Sequence, residues 1–387
     1  MADSSGSSPI VFIHGIKGSH LIQTYDDSFD TIWSAVQKGF ESIHDLALDD
    51  TGQVEADPFD VIAVAQLEKA AYGELLSRLR NRFEGVPIYI FRYDWRRDLA
   101  DTAKELHWFL ERVRRKTGAS SFRFVTHSMG GLVLAAYLKR AKANIRRVER
   151  ACLAAPPFWG AVEAMRGLVA GEASLLGIHS SDAFRKIGRT FPSVYQLVAS
   201  YPGHWSHPLA TASVWNIRHW QHRVDMGTRD PALYAARDAR MQGHLKTARG
   251  FHKSGMVDFD ALPETDRKKF LLLYGVGERT RCKIRVKKHN SSKEIKFFFD
   301  FESKPVFGDG DGTVPSVSAT RFSNIPTIAV PLSDFSAWWP TLWDDKAKLR
   351  VAGFHAMFLG LDKVQGLVID WLLGRDPKPS WIEPIKP

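Results

Sequence analysis

Three residues of this chain, Ser128, Asp311 and His355, have the types and the order needed for nucleophilic attack on an acyl carbonyl. Ser128 stands in "THSMGG" (126–131), where a β-favouring run ends and a helix-favouring run begins. A serine on such a strand-to-helix turn has its hydroxyl exposed at the edge of a sheet. The turn requires small residues where the strand and helix backbones pass close. Gly130 and Gly131 supply them after the serine; Thr126 stands where a glycine is usual and is read as a strained variant. A hydroxyl needs a base to take its proton, and the base needs an acid to orient it. "FGDGDGTVP" (307–315) is a glycine-rich acidic turn offering Asp309 and Asp311, of which Asp311 is the choice for the acid. His355 follows a strand and a loop and opens an amphipathic stretch, a placement none of the other histidines shares. His127 adjoins the serine but points to the opposite face of its strand, so it is not the base.

An oxyanion needs two backbone N–H donors. Met129 N–H comes from the turn itself. Ile16 N–H is the second, from "FIHGIKGSHL" (12–21), where Gly15 and Gly18 let the backbone approach and His14 holds the loop. This chemistry calls for no cofactor and no metal. "HWSH" (204–207) and "HWQH" (219–222) are weighed as zinc pairs and set aside for want of a cysteine and of tighter spacing.

These residues need a scaffold that brings distant segments to one sheet edge. "PIVFIHG", "VPIYIFRYDW" (86–95), "SFRFVTH", "VERACLAAP" (148–156), "KKFLLLYGVG" (268–277) and "IPTIAVPL" (325–332) read as strands. Helical periodicity fills 65–83, 98–118, 130–143 and 355–373. Strand and helix in alternation predict an α/β fold: a mostly parallel sheet with helices on both faces. "RCKIRVKK" and "KEIKFFFDF" flank "HNSS" as a hairpin. The pattern breaks at Pro156 and Pro157. Residues 158–265 lack clear strands and read as an inserted helical cap or lid, leaving 1–157 and 266–387 as the core. "PPFWGAVEAMRGLVAGEASLLG" (156–177) reads as a mobile lid over an acyl pocket, and Phe158 and Trp159 are expected to touch substrate. Trp205, Trp215 and Trp220, with Arg218 and Arg223, are expected to form a half-exposed aromatic and basic surface. "YDWRRD" predicts an ion-pair cluster of Asp94, Arg96, Arg97 and Asp98, with Trp95 beneath the site.

Taken together, "FIHGIKGSHL", Trp33 in "DTIW", "FRYDWRRD", "THSMGG", "LLYGVG", "FGDGDGTVPSVS" and "GFHAMFLG" resemble, in order, the lecithin:cholesterol acyltransferase-like family of α/β-hydrolases, in its bacterial-type members. The resemblance implies the α/β-hydrolase fold, Ser128 as nucleophile, Asp311 as acid and His355 as base. It also implies hydrolysis or transfer of acyl groups from lipid esters. Trp33 takes a substrate-binding place. Thr126 departs from the family's small residue. The signals and disulfides of secreted members are lacking, so cholesterol and lipoprotein chemistry is not carried over.

The 387 residues carry a formal charge of +10. A basic surface suits nucleic acid or anionic lipid. No compact Lys/Arg block stands out, so the partners expected are an acyl ester or lipid substrate and an anionic lipid surface, not nucleic acid. The two cysteines cannot form a disulfide framework. "MADSSGSSP" has no basic start and no apolar core, and no apolar run nears the ~20 residues of a membrane span. A cytoplasmic chain is expected; secretion after removal of a signal stays open.

Overall fold

The computed structural model describes residues 8–24, 30–34, 43–57, 61–171, 181–220, 231–291, 294–301, 305–332 and 353–379. Its centre is a six-stranded sheet of β1 (Ile10–Ile13), β5 (Ile88–Phe91), β6 (Phe122–His127), β7 (Val148–Ala154), β9 (Phe270–Val276) and β13 (Thr327–Pro331). The order is β13-β9-β7-β6-β1-β5 and every pairing is parallel. A parallel sheet is covered on both faces, which is why β1, "IVFI", is apolar at every position.

Period-2 alternation sorts these side chains into two cores. Val11 and Ile13 of β1, with Phe122 and Phe124 of β6, pack on one face against α2 (Leu99–Thr117) and α3 (Met129–Lys139). Ile10, Phe12 and Val125 pack on the other against α1 (Lys69–Arg82) and the C-terminal helix Asp362–Leu372. Helix α2 begins where Asp98 accepts the N–H groups of Ala100 and Asp101, and ends at Gly118 with φ +72. Both are local signals visible in the sequence.

Three elements differ from the expected pattern. The helix expected over 65–83 starts at Lys69, because residues up to Leu67 form β4 (Ile62–Leu67). Strand β4 joins β2 (Ser19–Gln23) and β3 (Thr31–Trp33) in a small antiparallel sheet that the sequence did not announce. The helix expected over 355–373 is broken: 353–357 is one helical turn, Phe358–Gly360 is a 3-10 turn, and the long helix starts only at Asp362. His355 therefore sits on its own short turn.

The expected hairpin is present, and longer. β10 (Glu278–Ser291) pairs antiparallel with β11 (Glu294–Asp300) and with β12 (Val306–Gly310), with a register shift between Arg281 and Lys283. The two-residue β8 (Trp205–Ser206) adds to it. After α4 (Lys142–Arg146) and β7, the chain forms α5 (Val162–Ala170), α6 (Ser181–Gly188), α7 (Pro192–Gln196) and α8 (Pro231–Gly250). α5 and α8 share a core with Ile284, Val286, Phe299 and Phe301 of the ribbon, while Phe158, Ile187 and Phe191 belong to the core of the main sheet. Trp220 is buried in the α5–α8 core and Trp205 and Trp215 are half-buried against it, so Trp220 offers no exposed aromatic face. Arg223, His222 and residues 172–177 of the expected lid lie outside the described residues. Among the described residues, no helix is long and apolar enough to cross a membrane.

Candidate active site

Strand β6 ends at His127, and Ser128 follows with φ 52 and ψ −126, outside the regions an L-residue ordinarily occupies. Strain of this kind collects at functional turns. The glycines explain how the turn closes. A Cβ on Gly130 would stand 2.4 Å from the Ile13 carbonyl oxygen, and one on Gly131 2.8 Å from Pro156 Cβ. Thr126 Oγ1 is 3.5 Å from where a Gly131 Cβ would be, an ordinary contact, so Thr126 packs beside this turn without crowding it. Its hydroxyl is buried without a hydrogen-bond partner among the described residues.

His355 Nε2 lies 2.8 Å from Ser128 Oγ, and His355 Nδ1 lies 2.6 Å from Asp311 Oδ2. Nδ1 donates to the carboxylate, which leaves Nε2 bare to accept the serine hydroxyl proton. All three side chains are buried. Asp311 is fixed from behind, since its Oδ1 accepts Thr313 N–H at 3.0 Å and Val314 N–H at 2.7 Å. Asp309 has other work: its carboxylate accepts Gly277 N–H and the Ser316 hydroxyl.

The 12–21 loop crosses directly over the serine. A Cβ on Gly15 would lie 2.9 Å from Ser128 Cβ. Ile16 lines the cavity that opens on Ser128 and His355. Met129 is the first residue of α3, so its N–H has no acceptor within the helix. His14 braces the loop: its Nδ1 donates to the Gly15 carbonyl at 2.7 Å, its Nε2 accepts Tyr93 N–H, and its ring stacks on Tyr93. Burial pushes the His14 imidazole down to about 4, so it stays neutral. Lys17, next along the loop, has φ +61, lines the same cavity and lies over the Trp33 ring. Burial pulls its ammonium down to about 7.

Apolar side chains form most of the cavity wall: Trp95, Ala161, Leu168, Phe191, Val194 and Leu197. Glu163 of α5 is its one acidic lining residue among those described, and it is neutralised by Arg281 at 3.1 Å and Arg166 at 3.6 Å. Trp33, Phe158 and Trp159, expected to bind substrate, are not part of this lining. Trp33 packs edge-on behind Trp95, Phe158 is wedged between Phe259 and Phe322 in the core, and Trp159 lies under Arg321. Of the residues that do line the wall, Trp95 contacts Trp33, and Ala161 and Glu163 lie two and four positions beyond Trp159.

The "YDWRRD" cluster is an ion-pair network, with one member exchanged. Arg96, fully buried, bridges Asp94 and Glu55, and Arg97 contacts the same two carboxylates. Burial alone would raise the Asp94 carboxyl, but Arg96 and Arg97 outweigh it and hold it below the usual carboxylate range. Asp98 caps α2 and accepts Gln196 instead. Glu55 was missed because nothing local marks it. Trp95, beneath the site as expected, is held by Ser19 and Ser193. In the histidine pairs, His207 Nε2 bonds the His219 carbonyl and His204 Nδ1 the Tyr201 carbonyl.

The lecithin:cholesterol acyltransferase family model matches residues 83–230, a stretch that contains Ser128 on its turn. Over that stretch the chain is similar to this family. One chain of the Tle4–Tli4 complex superposes with a TM-score of 0.60, covering 96% of this chain and 99% of that one at 13% identity. The mature lipase BlEst2 of Bacillus licheniformis aligns at 16% identity over 72% of this chain and 70% of its own, with a TM-score of 0.33. At 13% identity the likeness to the chain of the Tle4–Tli4 complex concerns the fold alone. No curated protein matches the sequence. The matched stretch ends before Asp311 and His355, so the histidine and the acid rest on geometry alone.

Proposed function

We propose that this α/β-hydrolase cleaves carboxylic esters of lipid-like acyl groups through an acyl-serine intermediate. The observation that carries the reading is the unbroken hydrogen-bonded line from Ser128 through His355 to Asp311 on a strained turn facing an apolar cavity. His355 Nε2 takes the Ser128 proton as Oγ attacks the ester carbonyl. Asp311 stabilises the imidazolium that forms. The oxyanion lies between the N–H groups of Met129 and Ile16, each worth roughly 3–4 kcal/mol of barrier. His355 then returns its proton to the leaving alcohol. Water, deprotonated by the same histidine, releases the acid. The wall of Leu168, Phe191, Val194 and Leu197 suits an acyl chain. In this proposal residues 158–265 act as the cap that supplies that wall.

The family match favours a second outcome, in which an alcohol rather than water takes the acyl group from Ser128. Hydrolysis of 4-nitrophenyl octanoate, followed with and without an added long-chain alcohol, separates them. Free octanoate in both cases supports the hydrolase; an ester of the added alcohol supports the transferase. Failure of folded protein to release 4-nitrophenol under either condition contradicts both.

A further inference from the structure

Ser128 and His355 are 227 positions apart, and the base stands on a separate short helical turn. A nucleophile and base placed so far apart need something to hold them in register. One chain of hydrogen bonds outside the triad does so. Strand alternation turns His127, the residue before Ser128, toward the α1 face, where Tyr72 stands. Gly15 N–H donates to Tyr72 Oη at 3.2 Å. Tyr72 Oη lies 2.9 Å from His127 Nδ1, and His127 Nε2 lies 2.9 Å from the backbone carbonyl of His355.

The chemistry of the groups fixes the direction of every bond. A carbonyl only accepts, so His127 Nε2 carries the hydrogen. Burial holds the His127 imidazole well below its ordinary value, with the neighbouring His355 adding to the effect, so the ring is neutral and Nδ1 is bare. Tyr72 then gives its hydroxyl proton to Nδ1, and its oxygen is left to accept from Gly15. Tyr72 and His127 each donate once and accept once, between the Gly15 N–H, which only donates, and the His355 carbonyl, which only accepts. Tyr72, His127 and His355 are all buried, and the rings sit edge to face or tilted at 5.6 Å and 5.1 Å.

We infer that Tyr72 and His127 are positioning residues that set the separation between the oxyanion loop and the base across Ser128. Gly15 immediately precedes Ile16, and the His355 carbonyl belongs to the residue whose ring takes the proton. The relay therefore ties together the two sides of the reacting centre. This inference rests on the hydrolase reading above.

Three single variants and one double variant test it: Tyr72→Phe, His127→Leu, His127→Gln, and Tyr72→Phe with His127→Leu. Turnover of 4-nitrophenyl butyrate is measured per Ser128 titrated by a fluorophosphonate, so that misfolded protein drops out. Loss of the relay displaces the ring without removing it. Tyr72→Phe and His127→Leu should lower kcat by about ten- to a hundredfold, with KM changed by less than about threefold. His127→Gln places an amide N–H near the position of Nε2 and should recover most of the loss. The double variant should be no slower than His127→Leu, because both changes break one chain. An unchanged kcat per site in Tyr72→Phe, which removes a single oxygen, overturns the inference even if the leucine variant fails to fold. So does a glutamine variant as slow as the leucine one, or a double variant whose losses multiply. Wild-type protein that neither turns over the ester nor takes up the fluorophosphonate overturns the hydrolase reading, and the relay with it.

Discussion

His355 Nδ1 lies 2.6 Å from Asp311 Oδ2, while the other carboxylate oxygen is already committed to two backbone N–H groups. This division of labour leads to a definite expectation for Asp311→Asn. The side-chain oxygen would stay with Thr313 and Val314, so the amide NH2 would face Nδ1. Nδ1 could then only accept, and the imidazole hydrogen would move to Nε2. That tautomer cannot take the Ser128 proton. kcat should fall by roughly 10³–10⁴-fold near neutral pH, while the folded structure and its melting temperature change little. Activity within about tenfold of wild type would mean that Asp311 does not orient the base.

Thr126 gives a prediction of the opposite kind. Its buried hydroxyl has no partner among the described residues, and an unpaired buried hydroxyl costs about 1–3 kcal/mol. Thr126→Val keeps the β-branched shape and removes the oxygen. It should gain about 1 kcal/mol of stability in chemical denaturation and keep its ester hydrolysis. A loss of activity in the folded valine variant would show that the hydroxyl serves the reaction.

Acid should destabilise the fold through its buried histidines. Burial, aided by Arg321, pushes His252 down to about 3, and burial pushes His14 down to about 4. Their folded values lie below the unfolded 6.5, so below that pH the unfolded chain binds more protons than the folded one. The stability is complete above pH ~6.5 and is lost as pH falls toward the folded values. Each such group contributes a slope of about 1.4 kcal/mol per pH unit within that window. His252→Gln should remove about one proton from the slope of unfolding free energy against pH between about 4 and 6. A variant with the wild-type slope would show that His252 titrates normally.

How much of this was legible in the sequence depended on how local each signal was. The turn at Ser128 could be read because the serine and its glycines stand together in one short run, although the atoms that require those glycines belong to the distant Ile13 and Pro156, and α2 because Gly118 marks its end. The choice of Asp311 over Asp309 could be made from the sequence, but its reason lies elsewhere: Asp309 is drawn off by Gly277 and Ser316. Phe158 and Trp159 misled because two adjacent aromatics do not reveal which cavity, if any, they face. Here the phenylalanine fills the core between Phe259 and Phe322, and the wall of the site passes to Ala161 and Glu163. The small β2–β3–β4 sheet escaped notice because its strands are short and half-buried, with little alternation to detect. Glu55 and Tyr72 could not be found at all, since each matters only through a partner 41 or 55 positions away.

The central claim is that Ser128 is a nucleophile activated by His355. Mass spectrometry of the intact protein after exposure to a fluorophosphonate tests it most directly, with Ser128→Ala and His355→Ala treated alongside. Wild type should gain a single phosphonyl adduct, mapped by peptide digestion to Ser128. Ser128→Ala should gain none, and His355→Ala should react slower by a factor of about 10² or more. A folded wild-type protein that stays unmodified, or an adduct that persists in Ser128→Ala, would contradict the account.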